Sequence, residues 1–120
     1  GIMSENLFDF ESFYNTTFGM DKAARLEYGD SQMTHAMLFT GVDLDESGKS
    51  LKWRVENSWG NKGGDKGYQI MSDRWFDEFN YEVVVHKSFL DEKLIDLYKK
   101  ANPVKLEPWD PMGALAFKLK

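Results

Sequence analysis

Two polar side chains in this sequence are of the types that carry out acid–base chemistry together. His35 lies in a mostly apolar stretch, and histidine is the side chain that most readily exchanges a proton near neutral pH, which suits a general base. Asn57 follows a second apolar stretch, and its amide oxygen can accept a hydrogen bond from an imidazole N–H, which fixes the ring's orientation and tautomer. Trp59 comes two residues later, where an indole can shield that hydrogen bond from water.

Each of these residues also has a purely structural interpretation. A single histidine in an apolar strand is more often a buried, hydrogen-bonded core residue than a catalytic base. The motif around Asn57, Glu-Asn-Ser-Trp-Gly, is also typical of a strand that ends in a turn. The second histidine, His86, has no such neighbours, and we interpret it as structural or exposed. Two separated histidines give no metal-ligand spacing, and the glycines between Gly60 and Gly67 match no phosphate-binding loop, so we expect no metal or other cofactor.

The elements that must position the pair are two strands joined by a hairpin. Residues 34–42 form the first predicted strand, with apolar side chains on both faces, which indicates burial on both sides. Residues 51–57 form the second strand and alternate between apolar and polar side chains. The polar segment 43–50 between them contains Asp-Glu-Ser-Gly, which is typical of a hairpin turn. Antiparallel pairing of these strands would place His35 and Asn57 side by side.

The sequence before the hairpin predicts little regular structure. Residues 1–15 mix apolar and polar side chains without a sustained period, and we predict an irregular segment. A short helix is predicted over residues 21–28, because Asp21 has the side chain of an N-cap and Gly29 that of a left-handed stop.

After the hairpin the pattern alternates between strands and helices. Residues 68–71 predict a third strand and residues 81–86 a fourth. Ser72 is placed to cap the helix that follows it, and Ser88 to cap a helix whose apolar residues recur at helical spacing. Antiparallel strands with a few short helices indicate the α+β class. Three prolines then keep the segment 103–112 extended.

Composition and charge exclude several classes of function. The 120 residues carry 15 Lys and Arg against 20 Asp and Glu, and a formal net charge of −5 without a basic block argues against nucleic-acid binding. The chain contains no cysteine, which removes disulfides, thiolate metal sites and a thiol nucleophile. No apolar run approaches the ~20 residues of a membrane-spanning helix. The aromatic content of 15% is high enough to supply both a core and a surface for a partner.

Five motifs occur in a fixed order along the chain. They are Met-Thr-His-Ala-Met at 33–37, Trp-Arg-Val-Glu-Asn-Ser-Trp-Gly at 53–60, Lys-Gly-Tyr at 66–68, Tyr-Glu-Val-Val-Val at 81–85 and Pro-Trp-Asp-Pro-Met-Gly-Ala-Leu-Ala at 108–116. Together they resemble the C-terminal part of the bleomycin hydrolase and bacterial aminopeptidase C family, which belongs to the papain-like cysteine peptidases. The resemblance extends from about residue 7 to residue 116, nearly the whole chain.

The resemblance implies a fold, an activity and roles for individual residues. It implies the barrel-like antiparallel sheet of the right-hand lobe of the papain-like fold over residues 1–102, followed by an extended arm over residues 103–120. It implies that His35 is the catalytic histidine, that Asn57 orients it and that Trp59 covers the pair, while a cysteine thiolate attacks the peptide carbonyl. The implied activity is that of a cytoplasmic aminopeptidase that acts on peptides.

The resemblance also implies a role for the arm. In the family the arm lies in the active-site cleft, where its terminal carboxylate meets the free α-amine of the substrate and restricts cleavage to the N-terminal end. The matching residues here are Gly113, Ala114, Leu115 and Ala116. Residues 117–120 would overfill the cleft if Ala116 has to present its carboxylate, so either they are trimmed or the arm ends differently. Whole family members are hexamers that enclose their active sites.

The chain departs from the family in having no cysteine. The family's nucleophile and its oxyanion-hole glutamine lie in an N-terminal half that has no counterpart in this sequence. We therefore expect a C-terminal fragment that is inactive until that half is supplied as its partner, and that exposes an apolar patch larger than the ~300–600 Å² of a typical monomer. The alternative is a free-standing, non-catalytic module for binding or self-assembly, whose contacts are the aromatic N-terminal stretch and the proline-rich arm.

Overall fold

A computed structural model describes residues 1–113, which form an α+β structure and confirm the predicted class. None of the helices in this range has the length and apolar character needed to cross a bilayer. Single turns of 3-10 helix lie at Gly60–Lys62 and Lys87–Phe89. In chain order the strands and α-helices are β1 (Ile2–Met3), α1 (Phe10–Tyr14), α2 (Lys22–Glu27), β2 (Leu38–Leu44), β3 (Ser50–Glu56), β4 (Tyr68–Ser72), α3 (Asp73–Phe79) and α4 (Glu92–Lys100).

The four strands form one open sheet in the order β1-β4-β3-β2. The β2–β3 and β3–β4 pairs are antiparallel, whereas β1 runs parallel to β4. The predicted barrel-like, fully antiparallel sheet is therefore wrong for residues 1–113. A barrel closes only when its two edge strands pair. Here the edge strands are β1, which is two residues long, and β2 at the opposite edge, and no strand of the described chain joins them.

The predicted hairpin is confirmed as β2, a tight turn and β3. In the turn the Asp45 carboxylate accepts hydrogen bonds from the backbone N–H groups of Ser47 (2.8 Å) and Lys49 (3.0 Å), as an Asx turn does. Gly48 has φ +84°, a conformation that glycine adopts without the steric cost of a Cβ. The turn therefore fixes which residues of the two strands face each other.

The first strand of the hairpin begins later than predicted. Leu38 is its first residue and pairs with Glu56, the last residue of β3. Residues 34–37 extend past the end of β3 and so have no strand beside them on which to form a ladder. His35 consequently lies in an irregular segment and is exposed, which corrects the prediction of a strand buried on both faces.

Two of the predicted helix caps are confirmed. The Asp21 carboxylate accepts from the N–H of Ala24 (2.8 Å) at the start of α2, and the Ser72 hydroxyl accepts from the N–H of Trp75 (3.0 Å) at the start of α3. The third cap is wrong. Asp91, rather than Ser88, caps α4, because Ser88 is taken up in the 3-10 turn that precedes the helix.

Two further predictions from local sequence are wrong. Residues 81–86 form no strand, because no strand of the described chain runs alongside them, and the Val84 side chain is exposed. Residues 1–15 are not wholly irregular, since Asp9 caps the short helix α1 by accepting from the N–H of Ser12 (3.1 Å). In the first segment the structure depends on a missing neighbour strand, and in the second it depends on a local cap.

The core lies between the sheet and α3. Val55 and Met71 are its buried aliphatic residues. Next to them Phe39, Trp53 and Phe76 pack with ring centroids 4.9–5.5 Å apart, which is the range of favourable aromatic contacts. This core stabilises β3, the strand that leads directly to Asn57.

Candidate functional site

His35 and Asn57 are brought together at the open end of the β2–β3 hairpin. The Nε2 atom of His35 lies 2.9 Å from the Oδ1 atom of Asn57. Because an amide oxygen only accepts hydrogen bonds, Nε2 carries the proton in this pair. The neutral ring therefore has its lone pair on Nδ1, and that nitrogen is the one that can take a proton from another group.

The Asn57 side chain is placed by the loop that follows β3. Asn57 is 8% exposed, and its backbone N–H donates to the carbonyl oxygen of Gly67 (3.1 Å). Gly67 has φ +94°, and a Cβ there would lie 2.6 Å from the carbonyl oxygen of Gly60. The loop thus closes on itself only with a glycine at this position, and this closure holds the amide in the interior while its oxygen faces the imidazole.

Trp59 contacts the imidazole but does not bury it. The centroids of the Trp59 and His35 rings are 5.1 Å apart with the planes tilted by 42°. The indole is 68% exposed, so it covers the imidazole from one side and faces solvent on the other. Trp59 is thus in contact with the histidine of the pair.

A shallow depression of about 310 Å³ lies beside the pair. The imidazole of the pair is exposed and so accessible from outside, whereas Asn57 is buried. The depression borders Asn57 and the residue that follows His35, whereas His35 itself is not among its lining residues. The depression is lined by Ala36, Met37, Leu38, Glu56, Asn57 and Ser58.

The remaining residues singled out from the sequence lie apart from this pair or outside the described range. His86 is exposed, and its Nδ1 atom bonds the Ser88 hydroxyl (2.8 Å). Gly113 ends a turn in which its N–H donates to the carbonyl of Asp110 (2.8 Å), so this part of the predicted extended arm is folded back. The structure does not describe residues 114–116, where the arm's other candidate residues Ala114, Leu115 and Ala116 lie. Within residues 1–113, no group of His, Asp and Glu side chains could hold a metal ion.

Sequence reasoning missed two contacts in the segments that carry Asn57 and His35. The carbonyl of Gly67 holds the backbone of Asn57, and the Tyr81 hydroxyl bonds Ser31, four residues before His35. The density of glycines between residues 60 and 67 was a signal for a tight loop. No local signal points from Tyr81 to Ser31, because fifty residues separate them.

The family profile and the relatives of known name point to the same family. The profile of the Peptidase C1-like family matches residues 1–113. The chain is 52% identical over 118 residues to an aminopeptidase C of Streptococcus thermophilus and 47% identical over 119 residues to a bleomycin hydrolase of Rattus norvegicus. These alignments include 98% and 97% of this chain, but the chain spans only about a quarter (26%) of the length of each relative.

A solved structure has the same fold. The crystal structure of PepW from Lactobacillus rhamnosis HN001 superposes with a TM-score of 0.83 at 53% sequence identity, covering 94% of this chain and 26% of that one. The family profile, the relatives and this superposition all include the hairpin that carries His35 and Asn57. The chain belongs to the Peptidase C1-like family.

Proposed function

We propose that this chain supplies the general base and the orienting amide of a cysteine aminopeptidase, with His35 as the base and Asn57 as the group that orients it. The observation that supports this most directly is the 2.9 Å hydrogen bond from the imidazole Nε2 to the amide oxygen. It leaves Nδ1 as the basic nitrogen of an exposed ring beside an open depression. A histidine with only a structural role does not need this accessibility.

The proposed reaction is acyl transfer through a thiol ester. Nδ1 of His35 takes the proton of a cysteine thiol, and the thiolate attacks the peptide carbonyl. The imidazolium then gives that proton to the leaving amine as the peptide bond breaks. Water, deprotonated by the same ring, attacks the thiol ester, and the C–S bond breaks to release the acid and the cysteine thiolate, with the proton left on the imidazole. Asn57 keeps the ring in one orientation throughout and its neutral form in one tautomer, and Trp59 limits the access of water to the Nε2 hydrogen bond.

The thiol in this proposal comes from other sequence, since these 120 residues contain no cysteine. The relatives, named as aminopeptidase C and bleomycin hydrolase, are about four times as long as this chain, which leaves room for a nucleophile-bearing part. We propose that part as the partner, peptides as substrates and N-terminal residues as the products released. A hexameric assembly and a cytoplasmic location belong to the same proposal.

The direct test is to reconstitute peptide cleavage. The chain is mixed with the cysteine-bearing part of the enzyme, and release of N-terminal residues from a peptide is measured. His35→Ala is expected to lower the rate by at least ~10², the lower end of what a general base contributes. The matched control is His86→Ala, which removes an exposed histidine bonded only within its own turn. Equal losses in both variants, or no loss in His35→Ala, would overturn the proposal.

The second candidate, a non-catalytic binding or self-assembly module, is favoured by one observation. Aromatic side chains near the N-terminal end are largely exposed: Phe8 by 68%, Phe13 by 80% and Tyr14 by 61%. Such a surface suits a second copy of the chain as well as a missing part of the enzyme. Reconstituted cleavage that depends on His35 would exclude this candidate as the sole function.

A further inference from the structure

The segment that carries His35 has no regular secondary structure. Residues 28–37 contain no helix or strand, so no ladder of backbone hydrogen bonds positions the imidazole. On the N-terminal side of His35 the structure anchors this segment at Ser31. The Ser31 backbone N–H donates to the carbonyl of Arg25 (3.0 Å), and the Tyr81 hydroxyl lies 2.7 Å from the Ser31 hydroxyl.

Tyr81 is in turn held against the helix that precedes Ser31. Lys22 of α2 donates to the backbone carbonyls of Asp77 and Asn80, both at 2.6 Å, and its ammonium lies 5.0 Å from the centroid of the Tyr81 ring. These carbonyls belong to the C-terminal end of α3, where a cation is favoured by the helix dipole. Lys22 therefore ties α2 to α3 at the residue just before Tyr81.

Arg25 strengthens the same junction. Its guanidinium donates to the carbonyl of Met20 (2.8 Å) and the carbonyl of Glu78 (3.1 Å), and it pairs with the Glu78 carboxylate. The same group lies 4.9 Å from the centroid of the Phe79 ring. The Arg25 side chain is only 15% exposed, so these contacts are shielded from solvent more than a surface ion pair is.

We propose that Tyr81 is a positioning residue for His35, acting through its hydroxyl on Ser31. The α2–α3 junction holds the Tyr81 ring, and the 2.7 Å hydrogen bond transfers this restraint to the His35 segment. Loss of the hydroxyl leaves the ring and its Lys22 contact in place but removes the side-chain anchor of Ser31, which then keeps its backbone hydrogen bond to Arg25. The imidazole then spends less time bonded to Asn57. This inference deepens the proposed function and rests on it.

Proton exchange at His35 Nε2 tests the inference on the chain itself. Nitrogen-15 NMR of the imidazole gives the exchange rate of the Nε2 proton with water, which rises when the bond to Asn57 opens more often. Tyr81→Phe and Ser31→Ala are each expected to raise this rate about fivefold, and the double variant to raise it no further, because both remove the same hydrogen bond. The matched control is Tyr98→Phe, since this tyrosine is 89% exposed on α4. Rates in Tyr81→Phe and Ser31→Ala equal to that of the control would overturn the inference.

Peptide cleavage separates failure of this inference from failure of the proposed function. In the reconstituted enzyme, Tyr81→Phe is expected to lower kcat about fivefold with KM changed less than twofold, and to add nothing to Asn57→Ala. An unchanged kcat in Tyr81→Phe beside a large loss in His35→Ala overturns the role of Tyr81 alone. Full activity in His35→Ala overturns the proposed function, whereas the proton-exchange rates still decide whether Tyr81 restrains the histidine.

Discussion

Leu38 and Glu56 form the last cross-strand pair of the β2–β3 hairpin, and this pair sets the separation of His35 and Asn57. His35 lies three residues before Leu38, and Asn57 follows Glu56 directly. The imidazole therefore reaches the amide from an irregular segment, while the amide is fixed by the end of a strand. Asn57 is the better anchored of the two, which suits the role of orienting group that we propose for it.

Removing the amide is expected to reduce activity less than removing the base. Asn57→Ala leaves the imidazole in place but takes away the acceptor of its Nε2 proton. In the reconstituted peptidase we expect kcat to fall about tenfold, below the ~10²–10⁴ that a general base supplies. Asn61→Ala is the control, because Asn61 is exposed in the loop that follows. Steady-state kinetics on one peptide gives the comparison, and equal activity of the two variants would contradict the assigned role.

Substitution of Gly67 is expected to destabilise the loop that holds Asn57. Gly67→Ala would place a Cβ 2.6 Å from the Gly60 carbonyl oxygen at a backbone φ of +94°. We expect a loss of about 1–3 kcal/mol in the free energy of unfolding, measured by urea denaturation. Gly19→Ala is the matched control, since no atom lies within 4 Å of a Cβ built there. A Gly67→Ala midpoint equal to the control's would show that the loop relaxes without cost.

The stability of the helix–sheet junction is expected to depend on pH through Asp73. Hydrogen bonds from the Ser50 hydroxyl and from the Trp53 indole N–H hold the pKa of Asp73 below its ordinary value of 3.8. Because the folded-state pKa is the lower one, this stabilisation is present above pH 3.8 and is lost as the pH falls through the folded-state value.

The measurement compares melting temperatures of Asp73→Asn and the unmodified chain between pH 7 and pH 2.5. We expect the variant to melt at a lower temperature near neutral pH and the difference to shrink below about pH 4. The control is Asp77→Asn, which changes an exposed carboxylate of the same helix. A difference in melting temperature that stays constant across this range would contradict the prediction.

The isolated chain is expected to self-associate through its exposed aromatic side chains. Phe8 and Phe13 are 68% and 80% exposed, and their removal from water favours contact between copies. Light scattering should show a mass that rises with concentration, and Phe8→Ser with Phe13→Ser should lower that mass. Val84→Ser, which removes a 92% exposed aliphatic side chain from a different segment, is expected to have a smaller effect. A clean monomer at high concentration would contradict this prediction.

The elements predicted correctly from the sequence are those with local causes. The Asp45 turn, the alternation of β3 and the caps at Asp21 and Ser72 depend on residues within a few positions of one another. The three valines at residues 83–85 have high strand propensity but no strand beside them in the described chain. Propensity alone therefore predicted a strand there that does not form. β1 was missed because two residues carry no periodic signal.

The proximity of His35 and Asn57 could be predicted from the sequence because the hairpin could be predicted. Pairing the two strands brings His35 near Asn57, but the exposure of the imidazole depends on where β3 ends. The contact from Tyr81 to Ser31 spans fifty positions, so it follows from the packing of α2 on α3 and not from any local pattern. Side-chain anchors of this kind can be seen only once the helices are placed.

The hairpin has its turn at one end and the imidazole–amide pair at the other. Seven residues of β3 separate the Asp45 turn from Asn57, a distance of about 20 Å along an extended strand. The tip of this turn therefore lies at the opposite end of the hairpin from the last ladder pair and the groups beyond it. The turn is thus a suitable graft point for an epitope or a fluorophore, which would report binding of the proposed partner from a position remote from His35 and Asn57.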